Sequence, residues 1–274
     1  MEKKMFLKNT SILLIAGLCT VLVAGNSDKK KSISADAAKV EELGLNPTKN
    51  AKIFESVEIE ILFKLSSLGI PVEMPKPILN TSTSDYKTSL NLGLAVAGSL
   101  TSVVNKNTNI FTEYATNIHD YADRLGVENT ILSKYSEMTS AVREGKWENV
   151  ENQIYELKDA ISERLYEEDM KNDAVLAMTS GWIEGLHIVA KSLDKNFSDN
   201  AKDIIADRDF SRYLTYHLDT LDKDIKNKKE VRVIYEALPK IDKLINKPVN
   251  YNFSQKEIKS ILAITTEIRN VILK

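Results

Sequence analysis

At 274 residues and 30.8 kDa the chain is long enough for one large domain or two small ones, and 43% hydrophobic against 28% charged residues excludes intrinsic disorder. Lys+Arg (37) and Asp+Glu (39) nearly cancel, so no overall field draws in nucleic acid, whose binding depends on clustered phosphate-neutralising cations. Only 10 Gly and 6 Pro interrupt regular structure, and that scarcity favours helices.

At the start of the chain, Lys3, Lys4 and Lys8 precede an uncharged apolar run from Ile12 to Gly25, followed by polar Asn26 to Lys31. This layout predicts a signal peptide over residues 1–25, cut near Gly25 after Val23-Ala24. The run is shorter than the roughly 20 apolar residues of a membrane-spanning helix, and an uncleaved anchor would have to draw in Phe6 and Leu7. Cys19, the only cysteine, follows Ala16-Gly17-Leu18. A lipid-modified cysteine normally follows a small residue, whereas here a bulky leucine precedes it and apolar residues continue past it, so it reads as part of the apolar stretch. Once the signal is removed, the body has no disulfide and no thiolate chemistry.

Residues 26–46, with Lys29-Lys30-Lys31, form a flexible polar leader, and residues 47–274 are expected to form a single helical domain. Phe54, Val57, Ile61, Leu65 and Leu68 recur at helical spacing until Gly69 and Pro71 stop the pattern. Three prolines between Pro71 and Thr83 demand an extended connection across the surface. A second helix over about 84–105 is apolar nearly all round from Leu92 to Leu100. Its stripe of small residues, Gly93, Ala97 and Thr101, lets a neighbouring backbone come close.

The third helix (Phe111 to Leu125) ends at Gly126, the fourth (Ile131 to Val142) at Gly145, and the fifth carries Trp147, Val150, Ile154, Leu157, Ile161 and Leu165. The sixth, over about 172–193, repeats the apolar and glycine-containing character of the second. That likeness raises the question of an internal duplication, although the two match poorly residue by residue. A long seventh helix is expected from Asp199 to Lys226. An eighth carries Val233 to Ile245 and should be kinked or divided by Pro239, and a last one opens at the capping box Ser254-Gln255-Lys256-Glu257. No alternating run is long enough for a strand, so the fold class is an all-α bundle of about eight to nine amphipathic helices.

Glu184 and His187 lie three apart on one helix face, the spacing of carboxylate-bridged di-iron sites, but no second such motif exists: Leu214 precedes His217 and Thr116 precedes His119. The spacing of His119, His187 and His217 demands no zinc site, and the chain has no haem-attachment motif, nucleophile elbow or phosphate loop. Neither metal nor cofactor is therefore expected, and no catalytic residue is nominated. What remains is the middle of the sixth helix. Two glycines in a helix interior cost about 1 kcal/mol each relative to alanine, and Glu184 is uncomfortable on a buried helix unless it is paired or faces a cavity. Close helix packing is the simpler explanation. A ligand site lined by Gly93, Gly181, Trp182, Glu184 and His187 is the sharper one.

Two segments, Tyr86-Lys87-Thr88-Ser89-Leu90-Asn91-Leu92-Gly93 and Gly181-Trp182-Ile183-Glu184-Gly185-Leu186, resemble those of an uncharacterised family of exported, all-helical bacterial proteins, often lipoproteins. The family has a Leu-Asn-Leu-Gly segment followed by a Tyr-Gly-Ala-Asp-Leu-like stretch, and later a Gly-Gly-Trp-Leu-Glu-Gly-Leu-like segment. This chain departs after Gly93, where Ala95-Val96-Ala97-Gly98 replaces the tyrosine and aspartate. The resemblance spans about residues 50–195, implies an exported helical fold and transfers no activity. The expectation is an exported, periplasmic or envelope-associated, non-catalytic binding or structural component. Its partner would be an unknown envelope protein or small molecule, with no nucleic acid and with membrane contact only through an uncleaved signal or lipid anchor. The second reading is a small-molecule or metal-binding protein with its site between the second and sixth helices.

Overall fold

The computed structural model describes residues 57–82, 84–167, 170–197, 205, 210–248 and 251–274; the signal and the polar leader lie outside them. All regular structure among the described residues is helical. The helices are α1 Val57–Ser67, α2 Asp85–Val104, α3 Thr108–Arg124, α4 Glu128–Arg143, α5 Trp147–Glu167, α6 Lys171–Lys195, α7 Phe210–Asp219, α8 Lys223–Lys226, α9 Lys229–Ile245 and α10 Gln255–Ile272. The stops at Gly69, Gly126 and Gly145 hold. Each adopts a left-handed φ, at 72°, 70° and 72°, which glycine reaches without a Cβ penalty.

The two helices without a polar face form the centre. α2 is buried continuously from Thr88 to Ala95 and from Ala97 to Val103. α6 is buried from Ala174 to Leu193 apart from Gly181 and Lys191. One hydrophobic core joins α2 to α3, α4 and α5 through Leu92, Phe111, Tyr121, Val150 and Leu165. A second joins the other side of the pair to α1, α7, α9 and α10 through Leu65, Leu90, Ile183, Leu214, Ile241 and Ile261. A helix buried all round is what an all-round apolar sequence requires, since any exposed side would leave greasy area in water.

One expectation needs correction and another is narrowed. The long seventh helix is interrupted, because α7 ends at Asp219 and α8 begins at Lys223. Asn172 of α6 fixes the break: its Nδ2 donates to Asp222 Oδ2 at 2.7 Å, and the Asp222 amide donates to its Oδ1 at 3.1 Å. Asp222 is thereby held extended (φ −60°, ψ 147°), which no helix interior allows. Of the two effects expected of Pro239, a kink or a division, the division does not occur, since α9 runs through it from Lys229 to Ile245. The proline and Tyr235, whose carbonyl it leaves without its helical partner, both stand at exposed positions. The capping box opens α10 as read: Ser254 Oγ accepts from the Glu257 amide, and the Ser254 amide donates to Glu257 Oε2 at 2.9 Å.

Residues 70–82 form an extended strap without helix or strand, as three prolines require. Side chains of the bundle hold its backbone. Tyr114 Oη donates to the Pro75 carbonyl at 2.9 Å, and Tyr121 Oη donates to the Ile78 carbonyl while accepting from the Asn80 amide at 2.8 Å. Arg124 donates to the Asn80 carbonyl at 2.9 Å, and the Glu73 amide donates to Ser192 Oγ at 2.8 Å.

Candidate functional site

The five nominated residues lie where α6 crosses its neighbours, and they divide into three environments. Gly93 and Gly181 meet each other. A Cβ on Gly93 would fall 2.0 Å from the Ala177 carbonyl oxygen and 2.7 Å from the Gly181 nitrogen, and one on Gly181 would fall 3.3 Å from the Gly93 oxygen. The α2 backbone therefore lies directly on the α6 backbone, and the space that a pair of glycines opens is filled by main chain.

Trp182 faces away from that crossing, into the core toward α7. Its ring lies 6.1 Å from that of Phe210, and contacts continue from Phe210 to Tyr213 at 5.5 Å and from Tyr213 to His217 at 4.3 Å. Along this ladder the Trp182 indole nitrogen and both ring nitrogens of His217 are buried without a hydrogen-bond partner among the described residues. Burial, with the Lys171 cation adding to it, holds the His217 imidazole down to about 4.

Glu184 and His187 point instead toward α10. Glu184, 1% exposed, accepts from Arg269 Nε at both oxygens, at 3.0 and 2.9 Å. Burial raises its carboxyl above the usual carboxylate range, and the Arg269 guanidinium opposes that shift. One turn on, His187 Nδ1 lies 3.3 Å from Thr265 Oγ1 and 3.4 Å from Thr266 Oγ1. Both hydroxyls donate to carbonyls of their own helix, at Ile261 and Leu262, so Nδ1 is the donor to them. Burial, with Arg269 and Lys191 nearby, holds the His187 imidazole down to about 4 and keeps it neutral at ordinary pH.

A cavity of about 10 Å³ adjoins the ion pair, bounded by Asn91 and Tyr114 below and by Lys76 and Ile78 of the strap above. That volume holds about one water molecule. Burial, with the Glu184 carboxylate beside it, pushes the Tyr114 phenol up. A larger hollow of about 420 Å³ lies open to solvent along α10 at Gln255, Lys256, Lys259, Ser260 and Ala263. Among the described residues, no three His, Cys, Asp or Glu side chains converge to hold a metal ion, and His119, His187 and His217 sit on three different helices.

Sequence reasoning did not nominate Arg269, Tyr114 or Thr265, which complete the polar cluster. A signal for Arg269 was present, since it lies four residues after Thr265 and three before Ile272, on the flank of the apolar stripe of α10. A cation there, in a chain with an unexplained carboxylate on an apolar helix, is the pairing to look for. No family model, curated protein or solved structure matches this chain.

Proposed function

We propose that the chain is an exported, non-catalytic component of a cell envelope that acts by binding or bracing a partner through its surface. The Gly93–Gly181 crossing carries this reading, because the face that a ligand site between α2 and α6 would need open is closed by backbone against backbone. The polar residues beside it are engaged with each other, Glu184 with Arg269 and His187 with two threonines, and the adjoining cavity is far below the few hundred Å³ of a small-molecule pocket. Apolar side chains that the cores do not take up stand on the surface, with Ile78 and Leu79 adjacent on the strap at 46% and 45% exposure. The apolar run from Ile12 to Gly25, preceded by lysines, supports export. No described helix is long and apolar enough to cross a membrane.

Cell fractionation with native mass spectrometry and metal analysis of protein purified from its own envelope tests the proposal. A chain found in the envelope fraction, lacking residues 1–25 and free of bound small molecule or metal, is expected. A stoichiometric small-molecule or metal adduct, or the intact chain confined to the cytosol, overturns it.

A further inference from the structure

The near-zero net charge hides a separation. From Thr108 to Met170, covering α3–α5, the chain has 14 acidic and 6 basic residues; from Lys223 to Lys274, covering α8–α10, it has 6 acidic and 12 basic. α2 and α6 stand between the two groups, which belong to different hydrophobic cores. The fold thus packs the helices of a net basic stretch of the chain and those of a net acidic one against opposite sides of the central pair.

The basic side has a focus on α9. Lys229, Arg232, Lys240 and Lys243 are all exposed, and at 100° per residue they fall in one stripe about 80° wide and about 21 Å long, with Glu236 as the one carboxylate among them. None of the four cations forms an ion pair among the described residues. Tyr235 flanks the stripe at 40% exposure. The acidic side is partly neutralised from within, by Arg124 with Asp120, Lys134 with Glu156 and Lys146 with Glu144.

We infer that the exposed side of α9 is a docking surface for an anionic lipid bilayer. Four exposed cations against one carboxylate along one side of α9 call for an opposing surface of negative charge. The net acidic α3–α5 segment of a second copy is the other candidate, and it would protect α9 in the absence of vesicles. A convex stripe has no groove for a polymer strand and offers a single flanking aromatic for stacking, whereas lipid headgroups diffuse laterally to match any spacing of cations. The acidic side, turned away by repulsion, would orient the bundle with the strap and α3–α5 facing outward. This goes beyond the envelope reading and does not depend on it.

Lysine-reactive footprinting of the full-length chain, read by mass spectrometry, tests the orientation. Phosphatidylcholine vesicles with and without phosphatidylglycerol serve as probes. On anionic vesicles Lys229, Lys240 and Lys243 are expected to become protected while Lys146, exposed on the far side, stays reactive; on neutral vesicles all four stay reactive, even if the N-terminal segment anchors the chain. Replacing the four cations together (Lys229→Gln, Arg232→Gln, Lys240→Gln, Lys243→Gln) should abolish that protection. It should also weaken any phosphatidylglycerol-dependent binding at least about a hundredfold, at roughly fivefold per cation. Because all four are exposed, an unchanged circular dichroism spectrum and melting temperature show that the fold survives. Equal reactivity of the α9 lysines on both vesicle types overturns the inference. So does protection that appears with protein concentration alone, or with heparin or DNA but not with vesicles.

Discussion

Replacing Gly93 with alanine is the most direct test of the central crossing. The new Cβ would stand 2.0 Å from the Ala177 carbonyl oxygen, 2.2 Å from Ser180 Oγ and 2.7 Å from the Gly181 nitrogen. Two of these three are backbone atoms and cannot swing aside, so α2 and α6 must part by about 1.4 Å to restore ordinary contact, loosening side chains along both helices. Overpacking of this kind costs about 3 kcal/mol at the upper end of its usual range. Alanine returns about 1 kcal/mol of helix propensity. A net loss of about 2 kcal/mol is expected, lowering the melting temperature by about 4–8 °C in a domain of this size. Gly181→Ala is the control: its Cβ would fall 3.3 Å from the Gly93 oxygen, a displacement of a few tenths of an ångström, so strain and propensity gain should nearly cancel. Urea titrations of both variants followed by circular dichroism give the comparison. If Gly93→Ala is no less stable than Gly181→Ala, the backbones do not touch as described.

Removing one member of the buried ion pair, by Arg269→Met, should cost about 3 kcal/mol because it strands the Glu184 carboxylate; adding Glu184→Leu should recover most of that loss, read as the urea midpoint. The two buried imidazoles set a pH dependence. Their folded values lie near 4 against 6.5 when unfolded, so the unfolded chain takes up protons first, and stability is complete above pH 6.5 and falls as the pH drops toward about 4. Urea midpoints between those limits should decline, and the double variant His187→Gln, His217→Gln should show a shallower decline; an equal slope would refute the assignment. Tyr121→Phe deletes a hydroxyl that both donates to and accepts from the strap, and should cost about 1–2 kcal/mol. Its signature is local, as faster amide exchange at Asn80 with α9 unaffected.

The elements were legible because their signals are short-range. Three- and four-residue spacing marked the helices, glycines reached by a left-handed turn marked three of their ends, and Ser254 with Glu257 marked a start. The interruption at Thr220-Leu221-Asp222 was not legible, because it is imposed by Asn172, which lies 50 residues away in the chain. That Pro239 leaves its helix undivided was not legible either: it and Tyr235, whose carbonyl loses its helical partner, stand at exposed positions where water can replace the lost bond, and exposure is a tertiary property. Among the nominated residues, the glycine pair and Glu184 carried a signal in being costly where they stood. Thr265 carried none, since a threonine on an apolar stripe looks the same whether or not a histidine meets it.

The sequence by itself determined an all-α chain with two unusually apolar central helices, since hydrophobic period and breaker residues act over a few neighbours and need no partner to be read. Tertiary structure alone decided that Gly93 lies on Gly181, that Glu184 meets Arg269, and that the helices of a net acidic and a net basic stretch pack on opposite sides of α2 and α6. Those are relations between residues dozens of positions apart, fixed by how the apolar sides of the described helices bury one another.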